Sequence, residues 1–283
     1  MTNAAVTAAR ATFDSGVTKP IDWRIRQLKA LRRMLVEHTE DFARALHQDL
    51  GKSADESWLT EIGFVADSVT HLLKNLPAWL EPEKAAVPLA LQPARASVVR
   101  DPLGVVLVIA PWNYPVQLLL GPVAGALSAG NAVVAKPSEL APAVAAVLAA
   151  LVPGYLGGAV SVVQGGPAET TALLTERFDH IFYTGNAAVG RLVMTAAAAH
   201  LTPVTLELGG KSPVYLDRTA DLKAAAKRLA WGKFLNAGQT CVAPDYVLAP
   251  PGLADELAHH LRNAVRGLFG ADPRTSPDYG RII

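Results

Sequence analysis

The chain has 283 residues, room for one large domain or two modest ones, and folding at that length hides roughly 75% of the surface that the unfolded chain exposes. Its 26 Lys and Arg against 25 Asp and Glu leave a net charge of +1, with no basic cluster to supply the electrostatic part of nucleic-acid affinity, so nucleic acid is not an expected partner. The single cysteine, Cys241, rules out an internal disulfide, and the first residues, MTNAAVTAARATFDSG, lack the charged start and apolar core of a secretory leader; the expected location is the cytoplasm.

The N-terminal third predicts helices. Ile21, Ile25, Leu28, Leu31 and Leu35 recur at three- and four-residue spacing, as do Leu59, Ile62, Val69, Leu72, Leu73 and Leu76, with charges on the other faces. Each of these helices should cover a core from outside.

From position 104 short runs rich in Val and Ile alternate with Ala- and Leu-rich segments. Strands are expected at GVVLVIA, NAVVAK, AVSVVQ, FDHIFYT and PVTLEL, and helices near 115–128, 141–152, 167–175 and 187–199. That alternation predicts an α/β fold: a Rossmann-like parallel sheet with helices on both faces. Leu103 to Ala135 carries no charge, but Pro111, Pro115, Pro122, Asn113, Gln117 and Asn131 break every window long enough to span a bilayer, so no membrane span is expected. A second region is expected from Gly209 or Gly210 onward. It holds PVYLD, a helix from about Asp221 to Leu235, the cysteine loop, DYVLAP and a last helix to about Phe269. The expected domains are thus 1–209, with the sheet and the N-terminal helices, and 210–283, with the cysteine.

Ligands of open parallel sheets bind at the carboxyl ends of the strands, and the unusual residues collect there. GNAAVG, from Gly185 to Gly190, has phosphate-loop spacing but continues with Arg191 and Leu192 where a P-loop needs Lys and Ser or Thr. It is either a tight turn or a pyrophosphate site at a helix N-terminus. In KPSE, Lys136 and Glu139 could bracket ribose hydroxyls, or the four residues form a solvated turn with Ser138 capping the next helix. Asn113, between Trp112 and Tyr114, is a structural amide or a donor to an oxyanion. Glu207 ends an apolar strand and is expected to be buried, as a general base of raised pKa or as a salt-bridged structural carboxylate. Cys241 is an inert thiol or a nucleophile; Gly238 and the loop setting favour access. The seven histidines show no metal-ligand spacing with it, and no metal is expected.

Taken in order, PWNYP, KPSE, FYTGNAAVG, ELGGKSP and NAGQTCVAPDYVL resemble the aldehyde dehydrogenase superfamily, and GNAAVG with CVAPDYVL resembles its class 3 branch. The resemblance implies an NAD-dependent oxidation of aldehydes to carboxylic acids, with NADP as a second cofactor, and a homodimer for a full-length form. It implies that Cys241 attacks the aldehyde and that Asn113 and the Cys241 backbone N–H hold the oxyanion, while Glu207 activates the water that hydrolyses the thioester. It places the cofactor along Trp112, Lys136, Glu139, Gly185, Asn186 and Gly190. Class 3 likeness suggests medium-chain aliphatic or aromatic aldehydes. Family members continue past DYGRII and carry a later E-x-F-G-P motif that this sequence lacks. The expectation is a cofactor domain with part of a catalytic one, either a portion of a longer protein or a short product with little turnover. The alternatives are an inactive cofactor-binding form and a CoA-acylating enzyme.

Overall fold

The computed structural model describes residues 3–283. The N-terminal helices are α1 (Ala4–Asp14), α2 (Ile21–Glu37), α3 (Thr39–Leu50), the single turn α4 (Ala54–Ser57) and α5 (Gly63–Trp79); a π-helical turn, Trp58–Ile62, joins the last two. The apolar spacing that predicts α2 and α5 holds, since Leu28, Leu31, Met34, Leu35, Val65, Val69 and Leu76 are buried. A short antiparallel hairpin follows, β1 (Glu83–Ala85) and β2 (Ala96–Val98), exposed throughout. Its three-residue strands carry no apolar alternation, so nothing in their pattern announces them.

The central sheet is built by β3 (Val105–Ile109), α6 (Gln117–Ser128), β4 (Ala132–Lys136), α7 (Pro142–Leu156), β5 (Val160–Val162), α8 (Pro167–Leu174), β6 (His180–Gly185), α9 (Ala187–Ala198) and β7 (Val204–Leu208). All five strands are parallel, in the order β5-β4-β3-β6-β7. The strand side chains alternate between two cores. Val106, Val108, Val133, Ala135 and Val160 pack with α2, α3, α5, α6 and α7 on one face. Val105, Leu107, Ile109, Ala132, Val134, Ile181 and Tyr183 pack with α1, α8 and α9 on the other. Burial on both faces is why β3 and β4 read as unbroken apolar runs, and each fully buried Val or Leu there contributes roughly 1.5–3 kcal/mol. The uncharged stretch 103–135 is therefore strand, loop, helix and strand. Among the described residues no helix is long and apolar enough to cross a membrane.

The N-terminus of α7 corrects one expectation. Ser138 does not cap it; its hydroxyl accepts from the Leu140 N–H at 3.2 Å. Asp49, at the end of α3, reaches across instead and accepts from the N–H groups of Ala143 at 3.1 Å and Val144 at 2.9 Å. The cap is supplied from a helix 94 residues earlier in the chain, satisfying donors that α7 cannot satisfy itself.

After Leu208 the next strand leaves the sheet. β8 (Ser212–Tyr215) pairs in parallel with β9 (Pro244–Leu248), and α10 (Leu222–Phe234) and α11 (Ala254–Phe269) pack on that pair around Leu216, Leu222, Ala226, Leu229 and Leu257.

Candidate active site

The chain winds from β3 to β4 to β5 on one side, then returns to β6 and β7 on the other. The crevice of such a sheet opens where the order reverses, at the carboxyl ends of β3 and β6. In the sheet register Ile109 stands opposite both Lys136 and Tyr183, so the loop after β3, Lys136 and the β6–α9 turn meet at one end of the sheet.

Lys136 ends β4 with its side chain 2% exposed. Its ammonium donates to the Pro137 carbonyl at 2.7 Å and lies 3.6 Å from the Glu139 carboxylate, whose side chain is 43% exposed. Burial pushes the Lys136 pKa down, and the Glu139 charge opposes that shift. A nearly buried ammonium with one short hydrogen bond keeps donor capacity for ligand oxygens. Nearby, Glu169 accepts from the Gly166 N–H at 2.7 Å, and a Cβ at Gly166 would approach Glu139 at 3.9 Å.

At the end of β6 the Thr184 hydroxyl is buried without a hydrogen-bond partner. Asn186 caps α9, accepting from the Val189 N–H at 2.9 Å. Gly185 leaves no room for a Cβ against the Tyr183 hydroxyl, and a Cβ at Gly190 would stand 3.2 Å from Leu208 Cδ2. These glycines let α9 start hard against the sheet, aiming its N-terminal partial positive charge at the crevice. The orphaned hydroxyl, the spare ammonium donors and the helix N-terminus fit a dinucleotide. Trp112, half-buried, follows β3 on the same side.

The loop that carries the thiol is tied to the loop after β3. After α10 the chain makes a tight turn, Leu235–Gly238, in which Asn236 and Ala237 both take φ 53° and Gly238 φ 83°. Left-handed backbone is costly for a non-glycine residue unless held from outside, and here it is held. Asn236 donates its amide to the Asn113 carbonyl at 2.6 Å and to the Gln239 carbonyl at 3.1 Å, and its backbone N–H donates to Glu56 at 2.7 Å. The Asn113 side chain donates to the same Gln239 carbonyl at 2.8 Å. Tyr114 and Thr240 share a hydroxyl hydrogen bond of 2.6 Å; burial pushes the Tyr114 pKa up to about 12, so that phenol keeps its proton at neutral pH. Cys241 follows directly, exposed and in no disulfide.

The structure thus joins Asn113 to the cysteine loop and Lys136 to Glu139. It does not join Glu207 to either. Glu207 is exposed on β7, the edge strand of the sheet, and its side chain makes no hydrogen bond or ion pair among the described residues. The expected burial does not hold: the last two residues of β7, Glu207 and Leu208, are open.

Sequence reasoning missed the supports behind Asn113. Lys52 and Glu61 form a fully buried ion pair at 2.6 Å, and Lys52 also donates to the Asn113 carbonyl at 3.3 Å. Nine residues apart across a loop and a π turn, they leave no periodic signal. Asn236 did carry one, as an asparagine two residues before Gly238 in a tight turn.

The aldehyde dehydrogenase family profile matches residues 1–283. The chain belongs to the aldehyde dehydrogenase family. It is 50% identical over 279 residues to the dog protein named aldehyde dehydrogenase, dimeric NADP-preferring, covering 98% of this chain and 62% of that one. It is 49% identical over 275 residues to human aldehyde dehydrogenase family 3 member B1, covering 97% and 59%. The substrate-bound Staphylococcus aureus AldH superposes with a TM-score of 0.96 at 42% identity, over 100% of this chain and 62% of that one. An indole-3-acetaldehyde dehydrogenase in complex with NAD+ superposes with a TM-score of 0.87 at 29% identity, over 98% and 57%. The chain therefore spans about three-fifths of the length of these relatives.

Proposed function

We propose that the protein oxidises aldehydes to carboxylic acids with NAD or NADP, and that Cys241 is its nucleophile. The observation that carries this reading is the bond between the Asn113 amide and the Gln239 carbonyl, which brings an exposed thiol and an amide donor to one loop. An amide nitrogen bears two protons and Gln239 takes one, so the second is available to an oxyanion.

In the proposed sequence the Cys241 thiolate adds to the aldehyde carbon and the carbonyl electron pair moves to oxygen. The Asn113 amide and the Cys241 backbone N–H stabilise that oxygen. A nicotinamide held here would supply the hydride acceptor: as the adduct's C–H bond breaks and its C=O bond re-forms, the thioester results. Glu207 takes a proton from water as its oxygen adds to the thioester carbon, and the carboxylic acid leaves as the thiolate reforms. Trp112, Lys136, Glu139, Gly185, Asn186 and Gly190 would hold the cofactor, with Lys136 at ribose or phosphate oxygens and the α9 N-terminus at the pyrophosphate.

The dimeric relative supports a homodimer for the whole protein, which sedimentation would test. The single thiol supports a cytoplasmic location, which cell fractionation would test. Medium-chain aliphatic and aromatic aldehydes are the proposed substrates. The deciding experiment is a panel of these aldehydes with NAD or NADP, following reduced cofactor and acid product together. Acid formed one-for-one with reduced cofactor supports the reading; no reduction with any pair would defeat it.

A further inference from the structure

Behind the cysteine loop lies a buried polar cluster that the proposed chemistry does not use. Lys52 and Glu61 are fully buried and paired at 2.6 Å. The other Glu61 oxygen accepts from the N–H groups of Val116 and Gln117, both at 2.9 Å, at the start of α6. The Lys52 ammonium lies 4.0 Å from the Tyr114 ring centroid and donates to the Asn113 carbonyl. Asn236 donates to the same carbonyl, and Glu56 holds the Asn236 backbone. Glu56, burial-raised in pKa, also faces this cluster, and the His47 ring lies 3.1 Å from the Lys52 carbonyl.

One backbone carbonyl, that of Asn113, thus receives donors from two parts of the chain. Lys52 approaches from the loop between α3 and α4, and Asn236 from the turn before the thiol. A carbonyl oxygen has two lone pairs, so both donors fit. Together they set the peptide orientation of Asn113, and with it the direction of the side chain that grips Gln239. A buried ion pair is weak evidence for stability, and this one spends its spare donor on a loop that carries a proposed reacting group.

We infer that Lys52 and Asn236 are positioning residues that lock the Asn113 loop to the Cys241 loop, with Glu61 fixing Lys52. The inference rests on Cys241 being the reacting thiol, but its test reads the thiol directly and needs neither aldehyde nor cofactor, so a failed turnover assay leaves it standing or falling on its own.

The experiment measures the rate of iodoacetamide alkylation at Cys241 across pH, which is unambiguous with one cysteine. Asn236→Gly removes both amide donors while glycine accepts φ 53° without strain. Lys52→Met with Glu61→Gln removes the charged pair without leaving a lone buried charge, and Lys52→Arg is the conservative rescue. The expected result is a pH–rate curve displaced by roughly two- to tenfold, the worth of one neutral hydrogen bond, in the same direction for Asn236→Gly and the double variant, with Lys52→Arg close to wild type. Circular dichroism identifies folded variants, and Asn236→Gly is the deciding one if the double variant does not fold. A folded Asn236→Gly whose curve superimposes on wild type would overturn the inference, as would displacements of opposite sign in the two variants.

Discussion

Asn113 and Gln239, 126 residues apart, are joined by a 2.8 Å hydrogen bond from side-chain amide to backbone carbonyl, two residues before Cys241. The bond ties the loop after β3 to the turn after α10. Replacing Asn113 with Ala removes the tie and the proposed oxyanion donor together. Turnover should fall by roughly 10²–10³, the usual effect of losing one such donor, with a smaller change in KM. A KM increase with unchanged kcat would assign Asn113 to substrate binding alone.

Cys241 should be the sole alkylation site, giving one iodoacetamide adduct per chain by mass spectrometry. Bound aldehyde or nicotinamide cofactor should slow the labelling. Cys241→Ser should take no label and lose turnover, and a near wild-type rate in that variant would remove the covalent mechanism.

Glu207→Gln separates the two halves of the proposed reaction. Attack and hydride transfer should survive, giving a burst of about one equivalent of reduced cofactor per site, while deacylation slows by roughly 10²–10⁴. A burst that vanishes with turnover would place Glu207 earlier, at thiol deprotonation. An unchanged steady state would remove it as the base. The CoA-acylating alternative would then move ahead of hydrolysis, read as acyl-CoA formed only when CoA is added.

Glu139 sets the cofactor prediction. Its carboxylate can accept the ribose 2′-hydroxyl of NAD, whereas a 2′-phosphate meets its negative charge. NADH should bind at least as tightly as NADPH in a fluorescence titration, and Glu139→Gln should shift the ratio toward NADPH. A strong wild-type preference for NADPH, as the name of the dog relative states for that protein, would defeat this assignment of Glu139.

Asp49→Ala should cost about 1–2 kcal/mol in urea unfolding, because two α7 donors lose their acceptor. Asp49→Asn keeps an acceptor and should cost less. Equal losses in both would mean that the charge, acting on the helix dipole, matters more than the hydrogen bond.

The local rules of the chain were enough to determine the five strands of the central sheet, their parallel arrangement and the helices between them, but not the order in which the strands lie. A strand buried on both faces must be apolar throughout, and a helix covering it must be apolar on one side, so sequence pattern reports burial directly. The motifs at the strand ends, with Cys241 in its loop, were each ambiguous alone and became legible only as an ordered set that resembles the aldehyde dehydrogenase superfamily. Tertiary structure alone decided which residues support them. Lys52 with Glu61, Asp49 at the α7 N-terminus and Asn236 under Asn113 act through single hydrogen bonds between segments distant in sequence, where no periodicity exists to record the pairing. The exposure of Glu207 was hidden likewise: PVTLEL has the composition of a buried strand, and whether packing covers its last residues is decided by segments distant in sequence.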